Sequence, residues 1–204
     1  MLREVVDVDG IDAIVDFGGD RGQFIPRSFG ARRFVYEVSD AEPVDGVTRI
    51  VTPGAERFDL VMHTNVLEHD TAPRAAFSRF TNDWVAPGAL LYLEVPYEQY
   101  DLAFVPTSGP MRVAYEHWLR TVCRLPALYK LVDFYSTAAR IKLGVVPPGG
   151  FFKKHEHINF FTADAVRALV DSGGYDILRC ETHEEHTSSV FEKMVVCIAR
   201  RRHG

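Results

Sequence analysis

Cysteine is scarce in this 204-residue chain, long apolar runs are missing, and positive charge is not in excess. The three cysteines, Cys123, Cys180 and Cys197, lie far apart and form no Cys-x-x-Cys pair, which excludes a disulfide-built scaffold and leaves no zinc or redox motif. Buried free thiols in a reducing compartment are the expectation. No stretch of about twenty residues is uninterruptedly apolar and no basic-plus-apolar leader opens the chain, so neither a membrane span nor secretion is expected, and the expected compartment is the cytoplasm. A net charge of −5 argues against a nucleic-acid partner, which needs a basic field to meet phosphate. The run Arg200-Arg201-Arg202-His203 reads as a solvated tail. What remains, at 47% apolar and 25% charged residues, is an ordinary globular protein with enough chain for one buried core, so a single domain over 1–204 is expected.

The most informative stretch is Asp16-Phe17-Gly18-Gly19-Asp20-Arg21-Gly22, directly after the apolar run Ile11-Asp12-Ala13-Ile14-Val15. An apolar β-type run ending in an acid and a glycine cluster predicts a buried strand turning sharply into a helix, here over 22–29. Glycines permit left-handed backbone and close approach of a ligand, and a following helix would aim its N–H groups at the same place. The glycines at 18, 19 and 22 do not make the Gly-x-Gly-x-x-Gly spacing that relieves a pyrophosphate, and the Asp20 carboxylate would repel one. A ligand carrying positive charge fits better.

Asp16-x-Gly18-x-x-x-Gly22 resembles the Asp/Glu-x-Gly-x-Gly-x-Gly loop of the class I S-adenosylmethionine-dependent methyltransferases, with Asp20 where those enzymes usually have the middle glycine. Arg32-Arg33-Phe34-Val35-Tyr36-Glu37 reads as a second strand ending in an acid, and the resemblance gives Glu37 the ribose hydroxyls of the adenosine. Asp40 is its rival. Val47–Val51 and Phe58–Met62 are predicted third and fourth strands. Phe58-Asp59-Leu60-Val61, followed by Val66-Leu67-Glu68-His69, is similar to the post-strand motif of the same family, and residues leaving the carboxyl end of a central strand face the ligand crevice, so His63, Thr64 and Asn65 are expected to line the cofactor. Glu68 and His69 are expected to hold the loop together.

A helix over 73–85 stops at Pro87-Gly88, and Ala89–Pro96 reads as a fifth strand with Glu94 and Tyr97 at the substrate edge. From 97 to 154 the pattern departs into two helical segments, 111–124 and 128–143, rich in aromatics, read as a lid that forms the acceptor pocket, with an oligomer interface as the alternative. The segment His157-Ile158-Asn159-Phe160-Phe161-Thr162 is similar to the small-molecule branch of the family; Thr162 is an N-cap candidate for the helix that follows. Tyr175–Glu181 and Val190–Ile198 should close the sheet as an antiparallel hairpin.

Methyl transfer is an in-line displacement, so a base is required only where the acceptor must lose a proton. His157 and His155 are the candidates, because a near-neutral pKa suits abstraction from a hydroxyl; a structural role for His157 stands beside the catalytic one. No metal is expected: the His-x-His pair has no third ligand nearby, and the cluster His183-Glu184-Glu185-His186 reads as solvated. The resemblance thus implies a Rossmann-like seven-stranded, mostly parallel α/β sheet with an antiparallel last strand, helices on both faces and a helical lid inserted after strand 5. It implies S-adenosyl-L-methionine as cofactor, held by Asp16, Gly18, Gly19, Asp20, Gly22, Glu37, His63, Thr64 and Asn65, with S-adenosyl-L-homocysteine as product. The expected reaction is methylation of a small-molecule acceptor, at oxygen. The alternative is a non-catalytic binder of the cofactor or its product. No nucleic acid and no membrane are expected as partners, and the oligomeric state is open, with a homodimer as one option.

Overall fold

Seven strands build one sheet in a computed structural model of the chain, which describes residues 2–5, 7–29, 31–52, 57–97, 103–151, 159–186 and 191–203. They are β1 (Ala13–Phe17), β2 (Arg32–Tyr36), β3 (Val47–Ile50), β4 (Phe58–Thr64), β5 (Val85–Pro96), β6 (Tyr175–His186) and β7 (Phe191–Arg201), ordered β3-β2-β1-β4-β5-β7-β6. Strands β1 to β5 pair in parallel, whereas β7 runs antiparallel to both β5 and β6. The chain winds outward from β1 through β2 to β3 and returns to β1's other side with β4. Such a reversal opens a crevice beyond the carboxyl ends of β1 and β4.

Strand alternation divides the core. Ala13 and Val15 of β1, Leu91, Leu93 and Val95 of β5, and Val195, Cys197 and Ala199 of β7 share one apolar cluster with Phe77, Phe80 and Trp84 of α2 (Pro73–Trp84) and Val166, Leu169 and Val170 of α5 (Ala163–Ser172). Thr162 caps α5 as expected, accepting from the Ala165 amide at 3.3 Å. The opposite cluster joins Ile14, Leu60, Met62 and Leu90 to Val8, Ile11 and Ile25. The helices on that face, among the described residues, are short: α1 (Leu2–Val5) and a 3₁₀ turn at Arg27–Phe29.

Two local expectations are corrected. The helix predicted over 22–29 is instead a series of turns ending in that 3₁₀ turn. Gly22 sits at φ +70° and Pro26 lacks an amide donor, so the chain closes short turns, Gly22 N to Gly19 O and Ile25 N to Gly22 O, rather than propagating a helix. Pro87-Gly88, expected as a turn before the fifth strand, lies within β5, where the pairing with β4 shifts register between Phe58 and Leu60. The bulge absorbs the proline. Of the three thiols, Cys180 and Cys197 are buried and free, but Cys123 is exposed.

The chain divides into two units, residues 1–98 with 156–204, and residues 99–155. The second unit is a helical hairpin: α3 (Gly109–Arg124) and α4 (Pro126–Leu143), joined at Leu125. Pro126 starts α4 where its missing amide costs nothing, and Gly144 ends it at φ +66°, its amide bonded to Arg140 O at 2.9 Å. Trp118 Nε1 donates to Gly149 O at 2.7 Å and the Phe151 amide to Ser136 Oγ at 3.1 Å, so the closing segment folds back onto its own helices. Among the described residues no helix is long and apolar enough to cross a membrane.

Candidate functional site

The tips of β1 and β2 lie side by side. Phe17 pairs with Tyr36, and the Gly18 amide donates to Tyr36 O at 2.9 Å, so the glycine loop begins at the same edge where β2 releases Glu37. Through the loop the backbone is left-handed at Gly18 (φ +75°), Asp20 (+52°) and Gly22 (+70°). Asp is one of the few side-chain-bearing residues that adopt this region readily, so Asp20 keeps a turn that glycine would otherwise make. The Asp20 amide donates to Glu37 Oε2 at 3.2 Å, and Glu37 Oε1 accepts from the Ser39 amide at 2.8 Å. Asp40, the rival acid, is fully exposed and lies 3.8 Å from Arg49.

Beneath the loop sits Asp16. Its side chain is 0% exposed, and neither carboxylate oxygen has a hydrogen-bond partner among the described residues. A Cβ on Gly19 would fall 2.1 Å from Asp16 Oδ2, so the loop folds back against the carboxylate, and only a residue without a side chain lets it do so. Burial pushes the Asp16 pKa up to about 7. Gly18 is confined from the other side: a Cβ there would meet Val66 Cγ2 at 2.6 Å, which packs the segment after β4 against the loop.

Register assigns the remaining residues to faces. Asp16 pairs with Met62, Met62 with Tyr92 and Thr64 with Glu94, so Asp16, Thr64 and Glu94 share a face. His63 projects oppositely. Its ring is 1% exposed, stacked on Phe17 with centroids 5.3 Å apart and edge-on to Phe80 at 5.0 Å. Burial lowers its pKa to about 4, which keeps the imidazole neutral. The expectation that the His63 side chain lines a cofactor is therefore corrected: it belongs to the aromatic core. Thr64 is half-buried, and Asn65 is exposed at the tip in left-handed backbone (φ +54°), its amide bonded to Glu94 O at 3.0 Å. His155 and His157 lie outside the described residues.

Two sets of contacts that the sequence alone did not give belong to this edge. Tyr92 Oη donates to Glu94 Oε2 at 2.6 Å, a phenol–carboxylate pair on the face that carries Asp16. Asn159 ties the segment after β4 in place: Nδ2 donates to Leu67 O at 3.0 Å and Asp70 O at 2.6 Å, and its amide to Glu68 O at 3.0 Å. Glu68, 1% exposed, lies 3.5 Å from His69 Nε2 in the same segment. Among the described residues no three His, Cys, Asp or Glu side chains gather as metal ligands would.

Comparison with known proteins gives the chain a family and structural relatives. The model of a family described as "Methyltransferase domain" matches residues 12–179. No curated protein matches the chain. Among solved structures, an S-adenosylmethionine-dependent methyltransferase from Mesorhizobium loti is similar at 16% identity and TM-score 0.55, covering 98% of this chain and 95% of that one. The N-methyltransferase NodS from Bradyrhizobium japonicum, solved with S-adenosylhomocysteine, aligns at 13% identity and TM-score 0.52 over 98% of this chain and 83% of its own. A Burkholderia thailandensis 1,6-didemethyltoxoflavin-N1-methyltransferase, with 1,6-didemethyltoxoflavin and S-adenosylhomocysteine bound, aligns at 14% identity and TM-score 0.55 over 94% and 71%.

Proposed function

Because this chain belongs to the class I S-adenosylmethionine-dependent methyltransferases, we propose that it methylates a small-molecule acceptor, at oxygen, with its helical insertion selecting that acceptor. The observation that carries the reading is the buried, unpartnered Asp16 carboxylate under a glycine loop that lies beside Glu37. A desolvated carboxylate without a donor suits a ligand that brings a cation, and a pyrophosphate would meet repulsion there. When bound, the cofactor supplies a methyl group on a positively charged sulfur. Asp16, Gly18, Gly19, Asp20 and Gly22 hold its amino-acid end, Glu37 accepts from the ribose hydroxyls, and Thr64 and Asn65 border the crevice.

Glu37 spends its oxygens on the amides of Asp20 and Ser39 in the described structure, so a ribose would share or replace those bonds. Glu37→Ala is expected to weaken binding of S-adenosylhomocysteine by about tenfold to a hundredfold, the worth of one or two hydrogen bonds to a charged acceptor. Titration calorimetry measures it, and an unchanged affinity removes Glu37 from the ribose site.

The chemistry left to the chain is alignment, exclusion of water and, for a hydroxyl acceptor, removal of a proton, for which His157 and then His155 are the proposed bases. Two structural relatives are named as N-methyltransferases, so a test panel pairs phenols and alcohols with amines. Calorimetry with S-adenosylmethionine, S-adenosylhomocysteine and NAD is expected to give binding of the first two only. Methylated product from a hydroxyl acceptor, lowered in His157→Ala with cofactor affinity intact, supports the reading. Product only from amines overturns the oxygen assignment, and binding without any product across the panel favours a non-catalytic cofactor binder.

A further inference from the structure

We propose that the outward face of α4 docks the protein on an anionic lipid surface. Within the helical unit, α4 buries Val132 and Ser136 on one side. On the other it exposes a second apolar stripe: Ala127, Leu131, Phe134 and Tyr135, spaced to fall on one helical face, with Leu131 64% and Phe134 75% accessible. Exposed Lys130 and Lys142 flank the stripe. An apolar row bordered by lysines on a helix too polar to span a bilayer is the pattern of an element that lies in a membrane interface.

Charge chooses among occupants. Residues 99–155 contain eight Lys/Arg and three Asp/Glu, a net +5 in a chain whose total is −5, so the remainder carries −10. A second copy stacked stripe to stripe would bring lysine against lysine and is disfavoured. An anionic bilayer satisfies the stripe and its lysines together. The convex row also needs no groove in the partner. An expectation of no membrane partner that rests on missing apolar runs bears on spanning, not on peripheral docking of this kind.

Vesicle flotation of the full chain tests the proposal, with phosphatidylcholine alone and with phosphatidylcholine containing phosphatidylglycerol. Binding is expected to require the anionic lipid and to fall with added salt. Lys130→Glu with Lys142→Glu should weaken it by more than about tenfold, from a few-fold for each basic group near the surface. Leu131→Glu with Phe134→Glu should abolish it, with helix content and S-adenosylhomocysteine affinity unchanged as the control for folding. Absence of flotation, equal flotation on both vesicles, or wild-type flotation by either folded variant overturns the proposal. So does tighter retention on soluble polyglutamate than on vesicles, which would assign the face to an acidic protein.

Discussion

Asp16→Asn is expected to weaken S-adenosylmethionine binding by about one to two orders of magnitude while making the unliganded protein more stable at neutral pH. Both effects come from a carboxylate that is sealed under the loop with no donor, its pKa raised by burial from the ordinary 3.8 to about 7. Between those values the unfolded chain has lost the proton and the folded chain still holds it. At Asp16 rising pH therefore favours unfolding: its contribution is fully present below about pH 4, declines as pH rises toward 7 and is level beyond. A rise of that size corresponds to an upper limit of about 4 kcal/mol lost across the window. His63 works in the opposite sense, because burial holds its pKa at about 4 against the ordinary 6.5 and the unfolded chain takes up a proton there that the folded chain lacks; the two groups oppose each other in the wild type, and the asparagine variant, left with His63, should gain stability as pH rises from about 4 to 6.5. A cation delivered to the carboxylate reverses the sense of the effect, so binding by the wild type should release a proton below pH 7 and tighten as pH rises to that point. Denaturant titration at several pH values, and calorimetry in buffers of different ionisation enthalpy, read the two halves separately. Wild-type affinity in the variant, or the same pH dependence of stability in variant and wild type, would detach Asp16 from the cofactor.

Asn159→Ala carries the second large effect. One amide group holds the carbonyls of Leu67 and Asp70 from about ninety residues away in sequence, and the turn it secures contains the buried Leu67 and Glu68. Its loss removes two hydrogen bonds and is expected to cost about 2–3 kcal/mol. For a domain of this size that lowers the midpoint of thermal unfolding by about 5–10 °C. Because Val66 of the same segment packs on Gly18, cofactor affinity should fall as well, and the cofactor should raise the midpoint less than it does in the wild type. A variant that melts with the wild type would show that the backbone bond from the Asn159 amide suffices.

The parallel core is legible in the sequence because its central strands β1, β4 and β5 carry the apolar runs Ala13–Val15, Leu60–Met62 and Ala89–Leu93. The helical insertion is legible for a related reason: Pro126 and Gly144 mark the ends of α4 with residues that suit only those positions. The sequence misleads where a local signal has a competitor. The strand and glycine cluster suggest a following helix, but Gly22 and Pro26 divert the backbone into turns. His63 is misplaced by sequence reasoning because β4 runs on to Thr64, two residues past its predicted end at Met62. That extension keeps the alternation in force, and it puts His63 on the face of Phe17 and Thr64 on the face of Asp16. The Asn159 clamp and the Tyr92–Glu94 pair depend on tertiary placement, which no periodicity encodes. Asp16 and Glu37 are legible as acids at adjacent strand tips, yet the loss of every donor around Asp16 emerges only when Gly19 is seen folded against it.

The position of β7 has a consequence for how the molecule is made. Among the described residues β6 joins the sheet only through β7, and β7 pairs with a strand laid down about a hundred residues earlier, Leu90 against Arg200. During translation the first five strands can assemble as they leave the ribosome, while β6 emerges with no edge to receive it and waits for the later strand to slot between. Until β7 arrives, β5 offers an unsatisfied border that invites misassembly.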